Sequence, residues 1–463
     1  MGFNPGMTGD ETIGSATARR LTAELARLQR EGRYPSLVAG VTRGGRLLWS
    51  GGRGTVDGAV PGSGTQYRIG SITKTMTAVA VLRLRDEKLL TLDDPIGDHL
   101  PEVPFGERTI GQLLAHEAGL RAELPGEWWE RVAGVAWAEF VDRLRREDVL
   151  FSAGRQFHYS NLGYAVLGEL VARLRGRPWW DVLREEVLDP LGMSRTTYHP
   201  GPGAAAGWAV HPWADLVLPE PAHDTGVGAP AGQLWSTVED LGRWAGLLLG
   251  DQASGVVDAR TLSEMIRPTG VDVGGGRRGF GLGLFNFGRP DGAVVGHGGS
   301  MPGFVAALFV EPAQQTGVVV LGNATTGDST GTLAMTLLDV MREHEPWAGP
   351  VWAPLSQVDE EALALVGPWY WGSSAMAVRL SSAGLELVVL GRSGRSGLFR
   401  RDDDGFWVGQ DGYHEGERLR PVRDAEGRVT ALDIGTFVFT REPYEAGGPI
   451  PGGVDPGGWR NGL

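Results

Sequence analysis

The chain has 463 residues, a formal net charge of −13 at neutral pH and no cysteine. Without thiols there are no disulfides, thiolate nucleophiles or zinc–sulfur sites, and an acidic chain with no basic stripe argues against nucleic acid as a partner. At this length one large domain plus a smaller one is expected.

Residues 1–32 lack the apolar core of a secretory signal, and the segment after Arg19-Arg20 has the pattern of an amphipathic helix. No stretch approaches the apolar length of a membrane span, so the expected location is cytoplasmic, with no membrane partner. Two apolar runs follow over 36–41 and 46–50, and Gly44-Gly45 between them predicts a hairpin. Helical patterns then dominate, over 73–90, 109–115, 137–146, 162–174 and 179–187, the last closed by Asp189-Pro190-Leu191-Gly192. A further helix is predicted over 237–249. Strands are predicted over 280–287, 293–296, 304–310 and 316–321, and a last helix over 330–342. Strands at both ends of a helical middle imply an α/β layout in which N- and C-terminal segments share one sheet.

Composition changes at Glu345-Pro346-Trp347-Ala348-Gly349-Pro350, read as a linker over 345–350 after a first domain of residues 1–344. Short alternating segments over 377–380, 385–390, 405–409, 428–434 and 437–441 make residues 351–445 a small all-β domain, expected to be a barrel. The Gly/Pro-rich residues 446–463 read as a disordered tail.

The strongest chemical signal is Ser71-Ile72-Thr73-Lys74. Lys74 and Lys88 are the only lysines in a chain whose other basic residues are all arginine. Proton transfer is what arginine cannot do, because its guanidinium stays charged while a buried ammonium can be driven neutral. A serine three residues before such a lysine is a candidate nucleophile with its base; alone, the pattern equally fits a surface lysine after an N-capping serine. Two further patterns stand in order behind it. One is Tyr159-Ser160-Asn161, and the other is Gly296-His297-Gly298-Gly299-Ser300, directly after the apolar run 293–295.

Together these resemble the serine β-lactamase and penicillin-binding-protein superfamily, with its SxxK, YxN and KTG-like motifs. His297 stands in the place of the third motif's lysine, as in the class C-like esterases and D-aminopeptidases. Leu92-Asp93-Asp94-Pro95, the segment from Thr109 to His116, Asp189-Pro190-Leu191-Gly192-Met193, Ser236-Thr237-Val238-Glu239-Asp240-Leu241 and Gly281-Leu282-Gly283 extend the likeness over residues 35–338. Glu117-Ala118 after His116 departs from the family's usual small polar pair.

The resemblance implies an antiparallel sheet plus a helical domain, with a lipocalin-like barrel behind it. It implies acyl transfer through a serine ester, without metal or cofactor. Ser71 would be the nucleophile and Lys74 the base. Tyr159, favoured as a phenolate by Lys74, would share the proton relay. Asn161 would hold Lys74 and the substrate amide, and would also cap the helix that follows. His297, on an edge strand, would orient Tyr159 and complement substrate charge. Gly298 and Gly299 would leave room for substrate, Ser300 would donate a second oxyanion hydrogen bond, and Trp235 would line the acyl pocket or pack in the core.

The substrate would be a small peptide or ester. One reading is a penicillin-binding-protein-type thioesterase, which closes a nonribosomal peptide head to tail at a D-residue delivered by a peptidyl carrier protein. The others are a D-stereospecific peptidase, carboxylesterase or β-lactamase, and a non-catalytic β-lactam-binding relative. On any catalytic reading Lys74→Arg keeps the charge but cannot release the proton. Covalent labelling of Ser71 by a fluorophosphonate is expected to slow by roughly 10²–10⁴-fold in that variant, the usual contribution of a general base; labelling at the parent rate would contradict the assignment.

Overall fold

A computed structural model of the chain describes residues 12–251, 255–272, 278–289, 292–325, 330–349, 351–357, 359–391, 394–402, 404–435 and 437–443. The predicted tail over 446–463 lies outside the described residues. The chain divides into two compact units, Met1–Pro350 and Val351–Leu463.

The first unit is built on an eight-stranded antiparallel sheet. Its strands are β1 (Ser36–Arg43), β2 (Arg46–Gly54), β3 (Gly270–Asp272), β4 (Arg278–Phe280), β5 (Phe285–Arg289), β6 (Gly292–Met301), β7 (Phe304–Glu311) and β8 (Thr316–Gly322). Their order is β2-β1-β8-β7-β6-β5-β4-β3, so N- and C-terminal segments do share one sheet. The predicted Gly44-Gly45 turn is present, with both glycines at positive φ (+53° and +79°), as a two-residue hairpin requires.

Side-chain alternation divides the layers. On β8, Val318 and Val320 pack with α1 (Ser15–Glu31) and the C-terminal helix of the unit, Thr330–His344. Val319 and Leu321, pointing the other way, join the larger core with α2 (Thr73–Asp86), α3 (Asn161–Arg175) and α4 (Val238–Leu248). The sheet is therefore covered on both faces, and the helical middle of the sequence forms one of the covering layers.

Three predicted elements differ. The strand expected over 280–287 is the hairpin β4–β5, because Gly283 (φ +86°) turns the chain and the Gly281 N–H donates to the Leu284 carbonyl at 2.8 Å. The helix expected over 137–146 stops after Trp137–Phe140 and continues as separate single turns. Asp148 pins that segment by accepting from the Arg145 N–H at 2.8 Å and from Arg121 at 3.2 Å. The helix expected to run to residue 90 ends at Asp86, and Lys88 takes a left-handed conformation (φ +63°) beyond it.

The second unit is a closed antiparallel barrel of eight strands in sequential order, the last (Phe437–Thr440) pairing back to the first (Gly367–Trp371) through Tyr370 and Thr440. Trp369, Leu385, Phe399 and Leu432 fill its interior, and the Trp369 indole donates to the Leu365 carbonyl at 2.7 Å. Closure leaves no unpaired edge.

Backbone meets backbone where β6 crosses the turn that leads into α2. A Cβ on Gly70 (φ +52°) would stand 2.6 Å from the Ser300 nitrogen, and one on Gly299 would stand 1.9 Å from the Ile69 carbonyl oxygen. Neither position tolerates a side chain without parting the two segments. Gly299→Ala is expected to cost about 1–3 kcal/mol of stability, as overpacking does, and to abolish Ser71 labelling. A variant with parental melting temperature and labelling rate would contradict this packing.

Candidate active site

Ser71 lies in the single helical turn Gly70–Ile72, immediately before α2. Its hydroxyl is part-exposed, whereas α2 is buried on all sides from Thr73 to Leu82. Lys74, one turn after the serine, therefore has no route to solvent and is 0% exposed. Its Nζ donates to Ser71 Oγ at 2.9 Å and to the Ala231 carbonyl at 2.6 Å. It stands over the rings of Tyr159 and Tyr164, 4.9 and 5.7 Å from their centroids. Burial pushes its pKa from 10.5 to about 7, against an opposing pull from Glu123 and Glu130. The two residues singled out in the sequence are thus in contact: the Ser71 hydroxyl touches an amine whose burial favours its neutral form.

Tyr159 enters from the start of α3. His116, held at φ +58°, organises this approach. Its carbonyl accepts the His158 N–H at 2.8 Å, its Nδ1 accepts the Ser160 N–H at 3.0 Å, and its ring lies 4.3 Å from that of Tyr159. Ser160, not Asn161, caps α3 by accepting from the Gly163 N–H at 3.0 Å; Asn161 is already the first helical residue. Tyr159 is half-buried opposite Ser71, and loss of water around its phenol raises its pKa. The expected phenolate is thus corrected to a phenol, because desolvation outweighs any help from an amine that is itself losing its charge.

Asn161 is placed at the cluster but bonded differently from expectation. Its Nδ2 donates to Glu123 Oε2 at 2.9 Å, and its buried Oδ1 has no hydrogen-bond partner among the described residues. A carboxylate can only accept, so it takes the NH₂ end of the amide, while the hydrogen bonds of Lys74 go to Ser71 and Ala231.

His297 is 2% exposed on β6. Its Nδ1 donates to the Gly298 carbonyl, and Nε2 has no partner among the described residues. Burial lowers its pKa to about 3, so it is neutral and cannot supply the positive charge expected of it. Its ring faces that of Tyr159 at 5.9 Å as an aromatic neighbour rather than a hydrogen-bond partner.

β6 is an interior strand of the sheet, not an edge. Pairing with β5 nevertheless covers only Gly292 to Gly296, so its second half, from His297 onward, is hydrogen-bonded to β7 alone. A cavity of about 370 Å³ opens at this half, lined in part by Ser71, Tyr159, Phe285, His297 and residues 298–300. Trp235 does not line it. That residue is 3% exposed, lies on the short strand Trp235–Ser236 paired to Tyr67–Arg68, and packs edge-on against Phe304 with centroids 5.0 Å apart. Among the described residues no group of three or more His, Asp or Glu side chains could hold a metal ion.

Glu123, Glu130 and the Ala231 carbonyl were not legible in the sequence. Ala231 contributes only backbone, from the short helix Ala229–Gly232. The glutamates sit in irregular chain between motifs, with no spacing to mark them.

Residues 19–340 match the β-lactamase family, and the chain belongs to it, a family of serine hydrolases. Residues 358–441 match a domain of unknown function, DUF7586. β-Lactamase-like protein 2 of Dictyostelium discoideum is 27% identical over half of this chain and 45% of its own length. The chain thus spans less than half of that relative. The D-alanyl-D-alanine-carboxypeptidase/endopeptidase AmpH of Escherichia coli K12 is 28% identical over 55% of this chain and 70% of its own. The fold is also that of the octameric penicillin-binding protein homologue from Pyrococcus abyssi, with a TM-score of 0.63 and 22% identity, covering 91% of this chain and 99% of that one. No helix among the described residues is long and apolar enough to cross a membrane.

If neutral Lys74 activates Ser71, the labelling rate should rise with pH through about 7 and level off above it. Below that midpoint it should fall about tenfold per pH unit, as a single required deprotonation dictates. Tyr159 adds no second ionisation below the ordinary phenol range, since its pKa is raised. A rate still climbing at pH 9 would show that Lys74 keeps its proton.

Proposed function

We propose that this member of the β-lactamase family forms an acyl-enzyme at Ser71 with a carbonyl substrate of D configuration and passes the acyl group to water or to an amine. The observation that carries the proposal is the 2.9 Å contact between the Ser71 hydroxyl and a fully buried Lys74. Lys74 takes the Ser71 proton as Oγ bonds to the carbonyl carbon. The oxyanion forms beside the Ser71 and Ser300 N–H groups, which the close approach of Gly70 and Gly299 brings to one corner. As the tetrahedral species collapses, the Tyr159 phenol hands a proton to the leaving group and is reprotonated by the Lys74 ammonium. In the second half the acceptor gives its proton to the same relay while attacking the ester, and Ser71 regains its hydrogen. The likeness to AmpH, named for a D-alanyl-D-alanine substrate, supports the D configuration.

The acceptor separates two finer readings. Water gives a D-stereospecific peptidase or esterase. An amine gives the macrocyclising thioesterase, fed by a peptidyl carrier protein; a barrel-shaped unit that follows the first in the chain supports this reading, because penicillin-binding-protein-type thioesterases also carry an appended β domain. Parent protein and Ser71→Ala are to be compared on D- and L-residue amides and esters and on a peptidyl thioester ending in a D-residue, with products identified by mass. Ser71-dependent turnover at least about tenfold faster for D than L is expected, a preference worth roughly 1.4 kcal/mol. Cyclic product from the thioester supports the cyclase and hydrolysed product alone the hydrolase. A stable penicillin adduct with no turnover of any substrate would contradict the enzymatic reading.

A further inference from the structure

Glu123 is an exposed carboxylate that no motif of the sequence marks. One of its oxygens, Oε2, accepts two N–H groups, from Asn161 Nδ2 at 2.9 Å and from the Trp129 indole at 2.7 Å. Neither Glu123 nor Glu130 pairs with a cation among the described residues, whereas Glu102, Glu107, Glu139, Glu186 and Glu220 are each bridged to arginine.

An amide held in this way has one free end. Because the carboxylate takes Nδ2, Asn161 Oδ1 is turned away from it, buried and without a partner among the described residues. An orphan acceptor of this kind is costly in a resting enzyme. Lys74 lies against the same first turn of α3: Asn161 and Tyr164 are three residues apart on one helical face, and Nζ stands 5.7 Å from the Tyr164 ring centre. As a neutral amine Lys74 has two N–H groups; on taking the Ser71 proton it has three. At rest the Ala231 carbonyl takes one of the two, while the Nζ lone pair faces the Ser71 hydroxyl so that the proton can move.

We propose that Glu123 is a positioning residue for the Ser71–Lys74 couple, fixing the Asn161 amide so that Oδ1 is held ready for the ammonium that Lys74 becomes during acylation. The inference rests on the acyl-enzyme reading above. An acceptor whose hydrogen bond strengthens as the amine becomes an ammonium stabilises the transition state more than the resting state. The other titratable groups facing Lys74 contribute little charge: His116 and His297 are held neutral by burial, and the phenols of Tyr159 and Tyr164 keep their protons. Glu123 and Glu130 are the anions acting on Lys74.

The test is the pH dependence of the second-order rate of Ser71 phosphonylation by a fluorophosphonate, read by mass on the full chain, for the parent, Glu123→Gln and Glu123→Leu. Gln keeps an oxygen that can accept the Asn161 N–H; Leu does not. Glu123→Leu should slow labelling at least about tenfold at high pH, the scale of one lost transition-state hydrogen bond, and Glu123→Gln should recover most of that loss. Both remove a negative charge that favours the ammonium, so the midpoint of the rise should move to lower pH, by roughly half a unit for a charge screened at this range. In an Asn161→Ala background Glu123→Leu should have little further effect on the high-pH rate.

Unchanged rate and midpoint in both variants would overturn the proposal, as would equal losses in Gln and Leu with no shift of midpoint. A loss seen only with substrates that carry a free ammonium, the labelling profile being parental, would overturn it too, by making Glu123 a substrate contact. A parent protein that labels at Ser71 yet turns over no amide, ester or thioester defeats the function proposed above and leaves this test intact. A parent that does not label defeats both.

Discussion

Everything in the site follows from the cost of burying the charge of Lys74. An ammonium with no exposed surface loses its hydration, and a protein can answer by supplying counter-charge at contact distance or by letting the proton go. Here the contacts of Nζ are a hydroxyl, a carbonyl and two aromatic faces, all uncharged. The carboxylates that act on it, Glu123 and Glu130, do so without touching it. That arrangement leaves desolvation dominant and holds the amine near its point of half-protonation at physiological pH.

The fold supplies that environment from both sides of the sequence. Helix α2 can bury Lys74 because it runs through the middle of the helical layer, with Ala78, Val79 and Leu82 also fully or almost fully enclosed. The Ala231 carbonyl arrives from sequence more than 150 residues downstream. The open wall comes from the sheet, where β5 is too short to pair with the second half of β6. Gly70 and Gly299 let the two layers approach to backbone contact, so Ser71 and Ser300 can share a corner with no side chain between them.

Much of this was legible because it rests on local rules. The scarcity of lysine marked Lys74, helical spacing tied it to Ser71, and the apolar run over 293–295 marked the strand that leads into His297. The errors share a cause: each depended on which group a side chain meets in space. Asn161 was assigned to Lys74, but Glu123, 38 residues earlier, takes its NH₂ end. His297 was given a charge that its burial removes, and Tyr159 a phenolate that desolvation disfavours. Trp235 turned out to be core because its strand pairs with Tyr67–Arg68, a contact no periodicity reveals. In the barrel, the strands Gly397–Arg401 and Arg418–Arg423 escaped notice because their outward arginines mask the inward Phe399 and Leu419.

The central claim is that Lys74 is an amine close to half-protonation in the folded protein. With only two lysines in the chain, Lys88→Arg protein grown on lysine carbon-13-labelled at Cε carries a single labelled side chain. The chemical shift of that carbon reports the protonation of Nζ directly, without substrate or turnover. The account predicts a titration midpoint near pH 7. A midpoint close to 10.5, the ordinary value for lysine, would contradict it, since Lys74 would then be a buried cation and not a base.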